Sequence, residues 1–463
     1  MALEMDDITL QQQLEEVIAS ENKLAIQEFL NDQNISDVAE LIYDNPEYES
    51  QIISHLSIHR AASVFKILDQ VEQQRIIENL PPFKSAELLN ELPADDRVAF
   101  LEGLPNSVVR ELIKTLDPEE RKITLELLGY PENSVGRLMN PDYVYVYEYN
   151  SVKEVLDTIR RFGTNSETID VIYVINYKGE LLDDIRIRDI ILASPEVKVS
   201  ELMDDRFIAL NANDDQELAN EAFKMNNRVA LPVTDDHNIL LGIITIDDVL
   251  WVANEEFSED IQKIGGTEAF DEPYLDISIL KLLKKRAGWL VLLFLGEMLT
   301  ASAMQFFQHE IETATVLALF IPLIMSSGGN SGSQASTLII QAMALGELTI
   351  NDWWRVMRRE LMTGFLLGVI LGSIGLLRIF IWQNLHIFNY GENWNLLAVT
   401  IFFSLIGIVL WGSLMGSMLP IILKRLKLDP AASSAPFVAT LVDVTGIVIY
   451  FSVAYFFLKG ILL

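Results

Sequence analysis

Five apolar stretches dominate the C-terminal part of the chain, at about 287–307, 314–345, 361–382, 396–423 and 431–458. Each is long enough as a helix to cross a hydrocarbon core, which takes roughly 20 residues. Five in succession leave too little polar surface for a soluble core. Ahead of them the periodicity changes. From Leu56 to Leu116 a leucine recurs every 12 residues: Leu56, Leu68, Leu80, Leu92, Leu104 and Leu116. Each is followed by a helix-starting residue: Ser57, Asp69, Pro81, Pro93, Pro105 or Asp117. Ser or Asp at an N-cap and Pro in a first turn both begin helices. The spacing predicts one short helix and one tight turn per unit, stacked as a small superhelix that serves as scaffold. The competing reading is an ordinary bundle with chance spacing. From about 135 to 252 strand-like runs alternate with helical ones.

Charge divides the chain at the same place. Of its 463 residues 34 are basic and 66 acidic, for a net charge of −32. Residues 287–463 hold only 8 of the basic and 9 of the acidic ones, so a charge of −31 falls on the first 286. A pI near 4.4 argues against nucleic-acid binding, which needs a basic stripe. The absence of cysteine excludes disulfides, thiolate metal sites and cysteine nucleophiles. The acidic opening Met1-Ala2-Leu3-Glu4 lacks the basic n-region of a signal peptide.

Loop charges set an orientation. Lys281, Lys284, Lys285 and Arg286 precede the first stretch. Arg355, Arg358 and Arg359 lie between the second and third, and Lys424, Arg425 and Lys427 between the fourth and fifth. The loops around His309 and Tyr390 carry no Lys or Arg. The alternation places the N-terminal body in the cytoplasm and, with five spans, the C-terminus outside.

Within 135–252 two halves correspond. Gly136-Arg137-Leu138-Met139 answers Ser200-Glu201-Leu202-Met203, and Val171-Ile172-Tyr173-Val174-Ile175 answers the segment ending Leu231-Pro232-Val233. The run from Leu182 to Asp189 answers that from Leu240 to Asp248. This resembles a tandem pair of CBS domains. The resemblance implies that Thr245 and Asp248 can hold the ribose of ATP or another adenine nucleotide. The first half has Arg186-Ile187-Arg188-Asp189 and lacks the Thr, so at most one such site is complete. A dimerising module without nucleotide is the other reading.

Between Asp247 and Asp276 ten acidic residues face one basic residue, Lys263. Glu255/Glu259 and Glu256/Asp260 are each four apart, and like charges at that spacing cost a helix a few tenths of a kcal/mol. Either this is a solvated face or it binds a cation. Mg²⁺ or Ca²⁺ suits carboxylates without His or Cys. Inside the spans, Glu297 and Asp443 are candidates for function, since charge there is expensive. With Asp443 14 residues after Asp429, a continuous helix puts it roughly 21 Å along, near mid-membrane. Arg378 lies nearer a span end and snorkels. Pro322 and the run Ser326-Ser327-Gly328-Gly329-Asn330-Ser331-Gly332-Ser333-Gln334 suggest a broken helix lining a wet cavity; tight helix packing is the alternative. Asp429-Pro430 reads as the N-cap and first turn of the fifth span, or as an outer ligand at its mouth. An Asp doubled by a twofold axis suits a largely hydrated Mg²⁺. Hard-cation chemistry alone does not choose among Mg²⁺, Mn²⁺ and Ca²⁺.

Nearly the whole chain resembles the MgtE family of magnesium channels or transporters. The most specific segments run from Pro322 to Gln334 and from Asp429 through Asp443 to Gly446. The resemblance implies a multidomain membrane protein. It has an all-α superhelical N-domain (1–134), an α/β tandem CBS pair (135–252), an acidic connecting or plug helix (253–286) and an all-α five-span pore domain (287–463). It implies a bacterial cytoplasmic-membrane homodimer that takes up Mg²⁺ and is gated by cytoplasmic Mg²⁺. Asp443 matches the pore aspartate. Asp429, Glu259 and Asp260 match regulatory Mg²⁺ positions, Asp248 and Glu256 are similar to further ones, and Asp95 or Asp96 is the facing acid of the N-domain. The plug helix corresponds to about 255–280. Two other functions fit parts of the pattern: a transporter coupled to Na⁺ or H⁺, and a membrane-anchored nucleotide sensor.

Overall fold

The computed structural model describes residues 3–20, 22–270, 274–275 and 277–461. Asp271, Glu272 and Asp276 of the acidic connector, and Met1 and Ala2, lie outside the described residues. The chain forms two compact units, Met1–Glu255 and Glu256–Leu463.

The first unit begins with short helices: α1 (Leu3–Ala19), α2 (Lys23–Asp32), α3 (Ile35–Asp44), α4 (Glu49–His55), α5 (Ile58–Lys66), α6 (Gln70–Asn79), α7 (Pro82–Glu91), α8 (Ala94–Glu102), α9 (Asn106–Thr115) and α10 (Pro118–Leu127). From α5 onward there is one helix per 12-residue unit. All six repeat leucines are buried in one core. Several of them, such as Leu80 and Leu92, are the extended residue that closes one helix. The residue after each leucine is extended too and starts the next helix, but none of the six uses a side-chain cap hydrogen bond. Three of them are prolines, whose side chains carry no acceptor and which act through their fixed φ. Arg97 of α8 is fully buried. It donates to Thr124 Oγ1 at 2.9 Å, Leu89 O at 3.1 Å and Leu92 O at 3.3 Å, and pairs with Glu120. That one guanidinium ties α7, α8 and α10 together.

After α11 (Val135–Leu138) two equivalent halves follow. The first has β1 (Tyr145–Tyr147), α12 (Val152–Phe162), β2 (Val171–Ile175), β3 (Leu181–Arg186) and α13 (Ile187–Leu192). The second has α14 (Val199–Leu202), β4 (Leu210–Asn211), α15 (Gln216–Asn226), β5 (Ala230–Thr234), β6 (Leu240–Thr245) and α16 (Ile246–Ile264). Each half is a three-stranded sheet with its first pair parallel and its second antiparallel. The register slips at the same place in both, at Val174/Ile175 and at Val233/Thr234. A shared irregularity at equivalent positions marks an internal duplication. The middle strands are buried along their whole length, as expected of a central strand.

The second unit holds α17 (Ile279–Phe306), α18 (Gln308–Thr313), α19 (Thr315–Ala318), α20 (Ile321–Ala344), α21 (Trp353–Asn384), α22 (Trp394–Arg425) and α23 (Ala435–Leu458). Among the described residues five spans are long and apolar enough to cross a membrane. Several are longer than the apolar stretches suggest. Arg355, Arg358 and Arg359 belong to the first turns of α21, and Lys281 to Arg286 to those of α17.

Three expectations are corrected. The Gly/Ser-rich run is no break: α20 continues through it, and the interruption lies earlier, between α19 and α20, with Pro322 in the first turn of α20. The missing side chains serve packing instead. A Cβ on Gly412 would stand 2.4 Å from Gly328 O, and one on Gly416 would stand 2.0 Å from Gly332 O. Only glycine lets α20 and α22 approach so closely, the small-residue packing expected in lipid. Second, the connecting helix does not run from 255 to 280. The helix starts at Ile246, directly from β6, and ends at Ile264, where Gly265 and a left-handed Gly266 (φ +76°) terminate it. Third, Asp429 does not cap the fifth span. It caps a short 3₁₀ turn, Pro430–Ala432, and Ser434 caps α23. Asp443 is thus the ninth residue of α23, roughly 12 Å along it rather than 21 Å.

The glycine contact gives a direct test. Gly416→Val should destabilise the membrane unit by about 1–3 kcal/mol or more, as overpacking against backbone does, lowering its melting temperature in detergent. An unchanged melt would mean the two helices are not held this closely.

Candidate cation sites

Carboxylates gather in three places, two of them carried by α16. The first gathering is at the C-terminal end of that helix. Lys263 pairs with Glu259 one turn back, and its ammonium lies 2.7 Å from Asp429 Oδ2. The other oxygen of Asp429 accepts from Ala431 N at 2.8 Å, so its carboxylate is oriented by the cap it forms. Burial, followed by the charge of Asp429, pushes the Asp260 carboxyl up to about 6. Glu256 and Glu259 add to that push, and Lys263 opposes it. The acids around Lys263 raise its pKa against the effect of burial. The turn beyond the helix is seated locally. Gln262 accepts from Phe270 N at 2.6 Å through its side chain. A Cβ on Gly266 would stand 2.9 Å from the Trp289 ring, and Trp289 Nε1 donates to Ser434 Oγ at 3.1 Å. So four predicted positions, Glu256, Glu259, Asp260 and Asp429, come together here. Lys263 completes the set.

The second gathering lies in the first unit, at the start of α16. Asp95 is 7% exposed, and Asn140 Nδ2 donates to its Oδ1 at 3.0 Å and to Glu167 Oε2 at 3.0 Å. Lys66 Nζ stands 3.5 Å from Asp96 and 3.9 Å from Asp247. Burial, then the charge of Asp248, raises the Asp95 pKa well above the carboxylate range. Burial is also the main cause of the raised values of Asp96 and Glu167. It pushes Asp248 up to about 7, against a hydrogen bond from Thr245 and with the charges of Asp247, Asp96 and Glu167 adding to it. The Lys66 pKa is raised, because Asp96 and its acidic neighbours outweigh burial. One lysine therefore faces five acids, three of them predicted. Glu167, Lys66 and Asn140 were not legible as site residues. Each is isolated in sequence, in a loop or on a scaffold helix.

Thr245 and Asp248 face each other. Thr245 Oγ1 donates to Asp248 Oδ2 at 2.5 Å, and Asp248 reaches back to Thr245 N at 3.4 Å. Both bonds run from Thr245 to one oxygen of Asp248, which ties the residue before α16 to the first turn of the helix. The sequence feature that resembles a ribose-binding pair is therefore also a helix start.

The third gathering is in the membrane. Asp443 is half-buried on α23. A Cβ on Gly329 of α20 would lie 3.8 Å from its Oδ1, so the glycine leaves room at the carboxylate. Glu297 of α17 is exposed and lines a groove of about 790 Å³ with Thr440 of α23. Gly296 meets Thr440 closely, which brings α17 across α23 one turn before Asp443.

Among the described residues no three acids or histidines converge into a preformed metal shell. The donor chemistry nevertheless fits Mg²⁺, which is commonly held by one or two carboxylates with several waters retained. Buried acids that lack enough positive charge have the same need as a hydrated cation's binding site.

A family model described as a divalent cation transporter, MgtE, matches residues 321–453, and one for the MgtE intracellular N domain matches 33–133. CBS domains match 135–196 and 199–255. The chain is 39% identical over 335 residues to the magnesium transporter MgtE of Thermus thermophilus, spanning 72% of each. It belongs to the MgtE family of magnesium transporters. The MgtE of Bacillus subtilis is 30% identical over 335 residues, again 72% of each chain. Among solved structures, the cytosolic domain of the Mg²⁺ channel MgtE in complex with ATP matches 52% of this chain and 99% of its own, at 32% identity and a TM-score of 0.50. The soluble part of a magnesium transporter matches 54% and 99%, at 24% identity and a TM-score of 0.51, which bears on fold alone. In MgtE terms, the second acidic gathering lies where the N domain (Lys66, Asp95, Asp96) meets both CBS halves (Asn140 and Glu167; Asp247 and Asp248). The end of α16 and Glu297 fall outside all four matched segments.

The raised Asp248 pKa fixes the sign of a pH effect. Between the unfolded value near 3.9 and the folded value near 7, the native state binds the extra proton, so stability falls as pH rises through that window. Without divalent cations the first unit should melt at a higher temperature at about pH 5.5 than at about pH 7.5. Asp248→Asn should raise the melting temperature at the higher pH by about 2–4 °C and flatten the profile. Thermal melts of the full chain in EDTA across this range check both; a wild-type melt that rises with pH contradicts the assignment.

Proposed function

We propose that this MgtE-family chain is a homodimeric Mg²⁺ channel of the bacterial cytoplasmic membrane, closed by cytoplasmic Mg²⁺. The observation that carries the reading is Asp443, a half-buried carboxylate in an apolar span with the bare backbone of Gly329 beside it. A hydrated Mg²⁺ needs few direct ligands, and a twofold axis would supply the carboxylate twice. Support for a second subunit comes from α17, which packs on α23 and leaves most of its apolar surface uncovered within one chain. The basic residues collect at the starts of α17 and α21 and at the end of α22, which supports a cytoplasmic N-terminus and an external C-terminus.

Regulation follows from the two acidic gatherings on α16. Asp95, Asp96 and Asp248 form one set of sensing ligands; Glu256, Glu259, Asp260 and Asp429 form the other. When Mg²⁺ is abundant it neutralises these faces and favours the compact, closed state. When Mg²⁺ is scarce the acids repel and the pore opens. Reversing a 1:99 population takes about 5.5 kcal/mol, which several ions of modest preference supply together. The CBS pair is read as a site for ATP or another adenine nucleotide, with Thr245 and Asp248 on the ribose. The Gly/Ser run is helical within α20, and the interruption of the second span lies instead between α19 and α20, so a transporter coupled to Na⁺ or H⁺ stays the second reading.

In planar bilayers the purified protein should carry Mg²⁺ current that cytoplasmic-side Mg²⁺ suppresses. Asp443→Ala should reduce the current at least about tenfold while the protein stays folded, as expected for a charged group at membrane depth with a functional role. Normal current from a folded Asp443→Ala protein would remove Asp443 from the path.

A further inference from the structure

Lys263 is the one basic residue on the C-terminal half of α16, among Glu255, Glu256, Glu259 and Asp260. Its ammonium bridges two carboxylates from different parts of the second unit: Glu259 on its own helix and Asp429 in the loop before α23. The side chain is 31% exposed, and its partners are 30% and 38% exposed, so the bridge is neither deeply buried nor fully screened. Asp429 is held for this contact, because one oxygen caps the Pro430–Ala432 turn and leaves the other for the ammonium. The oxygens that Lys263 occupies are the ones read above as regulatory Mg²⁺ ligands. An ammonium is a compact, strongly hydrated point charge that binds carboxylate without fixed geometry. It can satisfy these oxygens, but with a single charge against several acids.

We infer that Lys263 is a tethered stand-in cation: it holds the end of α16 to the Asp429 loop when divalent cations are scarce, and yields Glu259 and Asp429 when one binds. This rests on reading those two acids as regulatory ligands. The lysine sets how much of the compact state persists without Mg²⁺, and so the range over which Mg²⁺ can act. A chain without it keeps the same ligands but loses the cation that joins Glu259 to Asp429 when no divalent ion is bound.

The test is limited proteolysis of the full-length protein at the Gly265-Gly266 turn, in EDTA and in saturating MgCl₂. Lys263→Met keeps most of the side chain and removes the charge. In EDTA its cleavage should be about two- to fivefold faster than wild type, the scale on which losing partly screened ion pairs shifts an opening equilibrium. In saturating Mg²⁺ the two proteins should be cleaved alike, and Lys263→Arg should behave as wild type in both. Unchanged cleavage of Lys263→Met in EDTA would overturn the inference. An equal acceleration in EDTA and in Mg²⁺ would also overturn it, by making Lys263 a plain structural strut. If Mg²⁺ does not protect even the wild type, the regulatory reading of Glu259 and Asp429 fails, and with it the stand-in role.

Discussion

Negative charge without enough positive charge to balance it is the constraint on which this structure turns. Helix α16 carries it at both ends: Asp247 and Asp248 in its first turn, Glu256, Glu259 and Asp260 toward its last. At each end a single lysine stands among the acids, Lys66 at one and Lys263 at the other. Each is held by two carboxylates and outnumbered. Burial first, with neighbouring acids adding to it, raises the pKa values of Asp95, Asp248 and Asp260. A divalent cation supplies the charge that such a deficit lacks.

The membrane unit meets a different demand. Without a hydrophobic drive between helices in lipid, α20 and α22 are held by close backbone approach at Gly328, Gly332, Gly412 and Gly416. Hydroxyls add to it: Ser331 and Ser413 are 2.7 Å apart across the same crossing, and Ser336 donates to Ser433 O at 2.9 Å. This rigid packing leaves α20 continuous and places Gly329 beside Asp443. The same glycine-rich segment thus packs against α22 and, at Gly329, lies beside the Asp443 carboxylate.

Much of this was legible in the sequence, and what was not has physical causes. The 12-residue leucine repeat gave one helix per unit because each leucine must be buried at the turn between helices. The CBS halves could be read because strand, turn and helix recur in the same order. The glycine run misled toward a broken helix, since glycine both loosens an isolated helix and permits tight contact between two; sequence does not say which applies until the partner glycines on α22 are seen. The extent of α16 was misplaced because the helix starts inside the CBS motif, directly after β6. Glu259 and Asp260 are legible as acids in an acidic run, and Asp429 as a cap or outer ligand at Asp429-Pro430. Lys263 was noted only as their lone counter-charge, and Lys66, Asn140 and Glu167 carried no local signal, because they meet only through tertiary structure.

The most direct test of the electrostatic account is amide hydrogen exchange across α8 and α16 in the full-length protein, in MgCl₂ and in KCl of matched ionic strength. Screening acts over about 10 Å at 0.1 M salt whatever the ion, whereas binding to clustered carboxylates favours a divalent oxygen-liganded cation over K⁺. Slower exchange at both ends of α16 in MgCl₂, but not in KCl, is the predicted result. Equal protection by the two salts, or none by either, would contradict it.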